Sequence, residues 1–241
     1  MSVPKIRNGV FFSLVETLPR GRNALDREAV ASIQRDRVMA AFTELVADRG
    51  LAAVSVTDVV AHAGVSRSAF YACFDDLAAC ADAAYERFIS VLVTRLLDAM
   101  DPTSHWHSFV ESAIRAYLET LQADLVVARA MQLEMDAAGR PARLRRRAAL
   151  RQLADLIAAR HAQLRQEDPT VGPLPDEAHV GHVYAVRQLA CDALEDDPDA
   201  DLLALVEPTV RWVAAAVNGA AGVDASSRHL SSKDLEDPRG H

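Results

Sequence analysis

Glycine is scarce in this 241-residue chain, occurring only ten times, and none of the ten falls in a phosphate-cradling pattern, which removes the glycine-loop nucleotide binders. Cysteine is scarcer still. Three thiols, an odd number read without a secretory signal, argue against a disulfide framework and predict a cytoplasmic protein. Strand-like alternation of apolar and polar residues is missing throughout. The apolar run Val10-Phe11-Phe12 is too short and too interrupted to span a membrane or serve as a signal peptide, so no membrane partner is expected. Catalytic patterns are missing too: there is no nucleophile elbow and no Glu-x-x-His pair. The close histidine pairs, His105-x-His107 and His179-x-x-His182, lack a neighbouring cysteine or matched acid, so no metal, no cofactor and no enzyme are expected.

Half the residues are apolar, and alanine and leucine outnumber the β-branched strand formers. The expected fold class is therefore all-α. The net charge of −8 is unevenly spread: residues 1–74 carry nine Lys/Arg against seven Asp/Glu, and residues 75–241 carry seventeen against twenty-seven. An anionic partner would meet the N-terminal end with the least repulsion.

The most specific stretch is Gly50 to Phe74. Ser55 is a good N-cap with Asp58 three residues later, a reciprocal capping arrangement that starts a helix near Val56. Val59, Val60 and Ala63 form its apolar face. Gly64 suits the left-handed turn that stops it, and Ser66 caps a second helix from Arg67 to about Phe74. Two short capped helices around a glycine turn spell a helix-turn-helix, whose second helix enters a DNA major groove by its first side chains.

Gly50, Ser55, Val59, Ala63-Gly64-Val65-Ser66, Phe70-Tyr71 and Phe74 resemble the DNA-binding domain of TetR-family transcriptional regulators, over roughly Gln34 to Tyr85. The resemblance implies a three-helix DNA-binding domain followed by a helical effector-binding and dimerisation domain. It implies a dimeric repressor on a pseudo-palindromic double-stranded operator, released by a small-molecule effector. The DNA-facing set is then Arg35, Arg37, Ser55, Thr57, Ser66, Arg67, Ser68, Ala69, Phe70 and Tyr71. The chain departs from the family where Ala69 replaces a frequent threonine, and where Ala72, Cys73 and Leu77 replace phosphate-touching groups. Arg20 and Arg22 in an N-terminal arm are the candidates to make up the missing positive charge. Cys73 and Cys80 flank the end of the second helix, and ordinary buried thiols are the simpler reading than a redox switch.

The expected organisation is a flexible basic arm over residues 1–34, the helix-turn-helix domain over 35–80, the effector and dimerisation domain over 81–218, and a disordered tail over 219–241. Helical spacing predicts a bracing helix through Val38, Phe42, Leu45 and Val46, and a long helix through Tyr85, Phe88, Leu92 and Leu96. Next come one opened by Thr103 or Ser104, one over Leu125 to Ala138, one after Pro141 ending at Asp168, and two over about Asp176 to Leu194 and Asp199 to Asn218. The last two carry the stripes Val183, Val186, Ala190, Leu194 and Val206, Val210, Val213, Val217. The resemblance assigns these helices to a homodimer, although packing inside one subunit is the simpler use of such stripes.

Trp106, Phe109, Tyr117, Met131, Glu134 and Met135 are the candidate effector pocket, being aromatic, soft and acidic groups in the middle helices. For any one of them core packing is the plainer account. Glu134 needs a partner, either a cationic ligand or an arginine such as Arg129. The basic run Arg143-Leu-Arg-Arg-Arg147 reads as a solvated face or as partners of carboxylates such as Asp136, with capture of an anionic ligand as the lesser option. Two alternatives remain beside the effector-released repressor: a DNA-binding regulator that answers to no ligand, and a helical-bundle ligand-binding protein or metalloenzyme without DNA.

Overall fold

The computed structural model describes residues 3–13, 27–168 and 170–216, and among them every regular element is helical. Helix α1 (Arg27–Arg49) buries Val38, Phe42, Leu45 and Val46. Gly50, at φ 78°, turns the chain out of it into a 3-10 turn, Leu51–Ala53. Helix α2 (Val56–Ala63) opens with the expected capping box between Ser55 and Asp58 and closes on Gly64 at φ 63°, ψ 37°. Helix α3 (Arg67–Cys73) is capped by Ser66, whose hydroxyl accepts from the Ala69 amide at 3.1 Å. Asp76 caps α4 (Leu77–Ala99) in the same way. Gly50, Ser55, Gly64 and Ser66 each act within one turn of the boundary they set, so the sequence reading locates the end of α1, the limits of α2 and the start of α3 closely.

The next boundaries differ from those the sequence predicts. Helix α5 (Trp106–Ala123) starts at Trp106 without a side-chain cap. The expected caps are engaged in the preceding turn, where the Thr103 hydroxyl donates to Asp101 Oδ1 at 2.7 Å and the Ser104 hydroxyl to the Asp101 carbonyl at 2.8 Å. The single helix expected over Leu125 to Ala138 is broken into α6 (Leu125–Gln132) and a 3-10 turn, Glu134–Ala138. The Gln132 carbonyl accepts from Arg187 Nη2 at 2.7 Å, which occupies an acceptor that continuation of the helix would use. Helix α7 (Arg140–Glu167) follows with proline in its first turn, then α8 (Asp176–Asp196), a 3-10 turn Leu202–Leu205, and helical residues 206–216, here α9. No described helix is long and apolar enough to cross a membrane.

The N-terminal residues correct the expected flexible arm. Helix α1 already begins at Arg27, and residues 3–13 are packed across the molecule. Phe11 and Phe12 are fully buried, with Phe11 stacked on Phe88 of α4 at 5.5 Å. Burying each ring stabilises by about 1.5–3 kcal/mol, ample reason for the segment to leave solvent. Its backbone is fastened on two sides. The Ile6 amide donates to Glu44 Oε1 at 2.9 Å and the Ser13 amide to Asp36 Oδ2 at 3.0 Å, both on α1. The Arg7 amide donates to Asp124 Oδ2 at 2.9 Å and the Asn8 side-chain amide to the Ala123 carbonyl, at the α5–α6 junction. Residues 3–13 thus form a strap from the helix-turn-helix to the helices behind it. Arg20, Arg22 and the tail from residue 219 lie outside the described residues.

The apolar stripes of the last helices also need correcting. Val183, Ala190, Leu194, Val206, Val210 and Val213 are buried within the single chain, and Val217 lies outside the described residues. The large apolar side chains that α8 and α9 do expose are Tyr184, Leu189 and Trp212.

Candidate functional site

Two features stand out, one at each end of α4. At its start, α2 and α3 present Thr57, Ser66, Arg67, Ser68, Tyr71 and Ala72 on one exposed face. Arg67 Nη1 lies 3.5 Å from Thr57 Oγ1, and the Ser66 and Ser68 hydroxyls share a hydrogen bond of 2.9 Å, so the first turn of α3 and the first of α2 form one polar surface. Phe70 and Tyr71 divide the work. Tyr71 is 48% exposed, whereas Phe70 is 0% exposed and packs on Phe74 at 5.8 Å. Phe70 therefore holds α3 in place and is removed from the DNA-facing set.

Arg35 and Arg37 are likewise reassigned. Arg35 Nη1 donates to the Cys73 carbonyl at 2.7 Å while its guanidinium lies 4.2 Å over the Phe74 ring, and Arg37 Nη2 donates to the Ala63 carbonyl at 2.9 Å. Both satisfy carbonyls at helix C-termini, where a cation is also favoured by the dipole. Ser55 is exposed but committed to its cap. Asp58 is held below its ordinary value by the Ser55 hydroxyl and amide and then by Arg49, whose guanidinium lies 3.2 Å away. Ala69 is half-buried. Burial raises the Cys73 thiol and pushes that of Cys80 to about 12, so neither is a ready thiolate.

Behind this surface, α4, α5, α7 and α8 enclose a slot of about 100 Å³. Phe88, Leu92 and Leu96 form one wall, Phe109, Val110 and Ile114 another, and Leu150, Leu153, Ile157 and Val183 the remainder. It follows α5 from Trp106 to Tyr117, about 17 Å at about 1.5 Å per residue. Leu97 and Leu156, both largely exposed, stand where it meets solvent.

The two ends of the slot differ. One end collects Tyr85, Tyr117, Gln132, Arg146 and Arg187. There Gln132 Nε2 donates to the Tyr117 hydroxyl at 3.2 Å, and burial raises both tyrosines. The other end has Trp106, His179 and His182. His179 Nε2 lies 3.2 Å from Nδ1 of the buried His161, and burial lowers all three histidines. Among the described residues no three His, Cys, Asp or Glu side chains converge as metal ligands would.

Of the six expected pocket residues, Trp106, Phe109 and Tyr117 line the slot. Met131 and Met135 are buried in the core outside it. Glu134 is turned the other way, its carboxylate set against Gly50, and Arg129 donates to the Leu194 carbonyl instead of meeting it.

Residues 38–84, which include all of α2 and α3, match the family model described as bacterial regulatory proteins, tetR family. The likeness to that family covers the helix-turn-helix segment of the chain. No curated protein sequence matches it significantly. The fold is shared with solved structures of low identity. The fatty acid degradation regulator FadR of Bacillus halodurans superposes with a TM-score of 0.65 at 18% identity, over 74% of this chain and 93% of that one. FadR of Bacillus subtilis, solved in complex with stearoyl-CoA, gives 0.65 at 16%, over 76% and 97%. A tetR-family regulatory protein from Rhodococcus RHA1 gives 0.61 at 18%, over 74% and 95%.

The match sets α2 and α3 beside the corresponding segment of bacterial regulatory proteins. What residue-by-residue reading missed is the strap and the cationic end of the slot. The Phe11-Phe12 pair was the available signal for the strap. Arg146 stood inside a noted basic run, but Arg187 is an isolated cation on α8 that only the fold brings to the slot.

Proposed function

We propose that this regulator is a homodimeric repressor that holds a pseudo-palindromic operator through Thr57, Ser66, Arg67, Ser68 and Tyr71, and releases it when a small molecule enters the slot between α4, α5, α7 and α8. The observation that carries this reading is that α4 serves both features: Asp76 caps it directly after α3, and Tyr85, Phe88, Leu92 and Leu96 line the slot. Ligand cavities generally run from about 300 Å³ upward, so a guest must part walls that now enclose about 100 Å³. Parting them moves α4, and with it the seat of α3. The effector then binds the DNA-incompetent arrangement better than the competent one, as any ligand must that shifts such an equilibrium.

The strap supports the coupling. Phe88 lines the slot and stacks on Phe11, and the same strap ends on Glu44, which also takes His62 of α2 at 2.6 Å. The neighbour that holds stearoyl-CoA supports a largely apolar guest. Tyr184, Leu189 and Trp212 on α8 and α9 are the surface assigned to the second subunit, since exposed aromatic side chains of this size favour an isologous contact.

Selection of the purified protein on random duplex DNA, followed by sequencing of what is retained, tests the DNA half. An inverted repeat with half-sites about one turn or somewhat more apart is expected. Enrichment of single half-sites, or of nothing at low salt, would overturn the dimeric reader.

A further inference from the structure

The charged residues lining the slot are Arg146 and Arg187, and no aspartate or glutamate stands among the described lining residues. The slot is thus cationic in a chain of net charge −8. Arg187 decides what it means. Its guanidinium is half-buried, it donates through Nη2 to the Gln132 carbonyl at 2.7 Å, and its Nε is buried without a hydrogen-bond partner. No described carboxylate pairs with it. A half-buried guanidinium beside apolar walls, with its buried Nε donor unused, gains when an anion completes it. The Tyr117 hydroxyl stands at the same end; it accepts from Gln132 and keeps its own proton to donate.

Resting on the effector reading above, we infer that the slot takes a single-chain amphiphile, an acyl chain with an anionic head, and takes it in one direction. The head lies at Arg187, with Arg146 and Tyr117 beside it, and the chain runs between α4 and α7 towards Trp106. The direction follows from the helices: Arg187 and Tyr117 mark one end of the slot, Trp106 and His179 the other, and the walls between are apolar. The Gln132 carbonyl that Arg187 now holds belongs to the break between α6 and the turn carrying Glu134, and the Glu134 carboxylate rests on Gly50 at the end of α1. A head group that draws the guanidinium away loosens that break, so the charged end of the ligand acts where the two parts of the molecule touch.

The test is binding of laurate, lauroyl-CoA and dodecanol to the full chain below their aggregation limits, followed by tryptophan fluorescence, in which the response lost in Trp106→Phe is that of the slot and the rest belongs to Trp212. At least one of the two anions binds about tenfold or more tightly than dodecanol, as a charge-assisted hydrogen bond implies. Which of them does so tells whether the head is a free carboxylate or the phosphates of a thioester carrier. Arg187→Gln abolishes the preference and leaves dodecanol affinity within about twofold, while Arg187→Lys keeps most of it. Equal binding of dodecanol and both anions by the unaltered protein overturns the inference, with no variant needing to fold. So does unchanged anion affinity in Arg187→Gln. Operator release is scored separately: release by dodecanol as readily as by the anions leaves the effector reading standing without this one, and tight anion binding without release does the reverse.

Discussion

The two ends of α4 are built in opposite ways. Around its start, α1, α2 and α3 close on Phe42, Phe70 and Phe74, the ends of α2 and α3 are met by Ser55, Gly64 and Ser66, and Arg35 and Arg37 donate to the last carbonyls. Further along, the same helix borders a slot that its own apolar walls leave partly empty, with one guanidinium short of a partner. Filled packing gives α2 and α3 a surface of fixed shape, which the proposed reading of DNA requires. The slot keeps its walls free to move, because apolar side chains beside a void have fewer contacts to lose. The lesson is that one part of the molecule must be rigid to recognise and the other compliant to respond.

The sharpest way to break the contrast is to truncate one apolar side chain in each. Phe70→Ala removes a fully buried ring from the packed end and is expected to cost about 3–5 kcal/mol in denaturant unfolding. Leu153→Ala, at the slot wall, is expected to cost less than about 2 kcal/mol, since part of that wall already faces empty space. Equal losses would mean the two regions are packed alike.

On the reading surface, Arg67→Ala and Tyr71→Ala are expected to weaken operator binding by about 1–3 kcal/mol each while leaving the unfolding midpoint unchanged, because both side chains are exposed. Fluorescence anisotropy on selected DNA together with thermal melts checks both halves. An intact affinity for the two variants would place the DNA elsewhere.

The strap should behave as the joint between the regions. Phe11→Ala is expected to destabilise the fold by about 2–4 kcal/mol and also to blunt the effect of any slot ligand on operator affinity. Loss of stability with full ligand response would reduce the strap to packing alone.

The smallest effect concerns the histidine end. Burial depresses His161 and His179 below their ordinary 6.5, so the unfolded chain binds protons first on acidification. Stability from this pair is therefore whole above about pH 6.5 and falls as the pH drops below it. His161→Gln should flatten that slope in urea titrations run at several pH values; an unchanged slope would show that the pair does not titrate as described.

The packed end was largely legible in the sequence, and the compliant end was not. Ser55, Asp58, Gly64 and Ser66 act within a few residues of themselves, so their spacing carries the local structure and, with Phe70 and Tyr71, the resemblance that the match over residues 38–84 repeats. Arg187 acts on Gln132, 55 positions away, and His179 on His161, 18 positions away, so no local pattern announces either. The same holds for Phe11, whose partner Phe88 comes only with the fold. Glu134 misled because its apolar sequence neighbours suggested a ligand-facing carboxylate, when Gly50 leaves it room on the opposite side.

The most direct test of the account is operator affinity by anisotropy with and without lauroyl-CoA, with coenzyme A alone as the control and Trp106 fluorescence reporting slot occupancy in the same cuvette. The account predicts that operator affinity falls about tenfold or more as Trp106 responds, and that coenzyme A alone does neither. A slot that fills while operator affinity stays constant would contradict it.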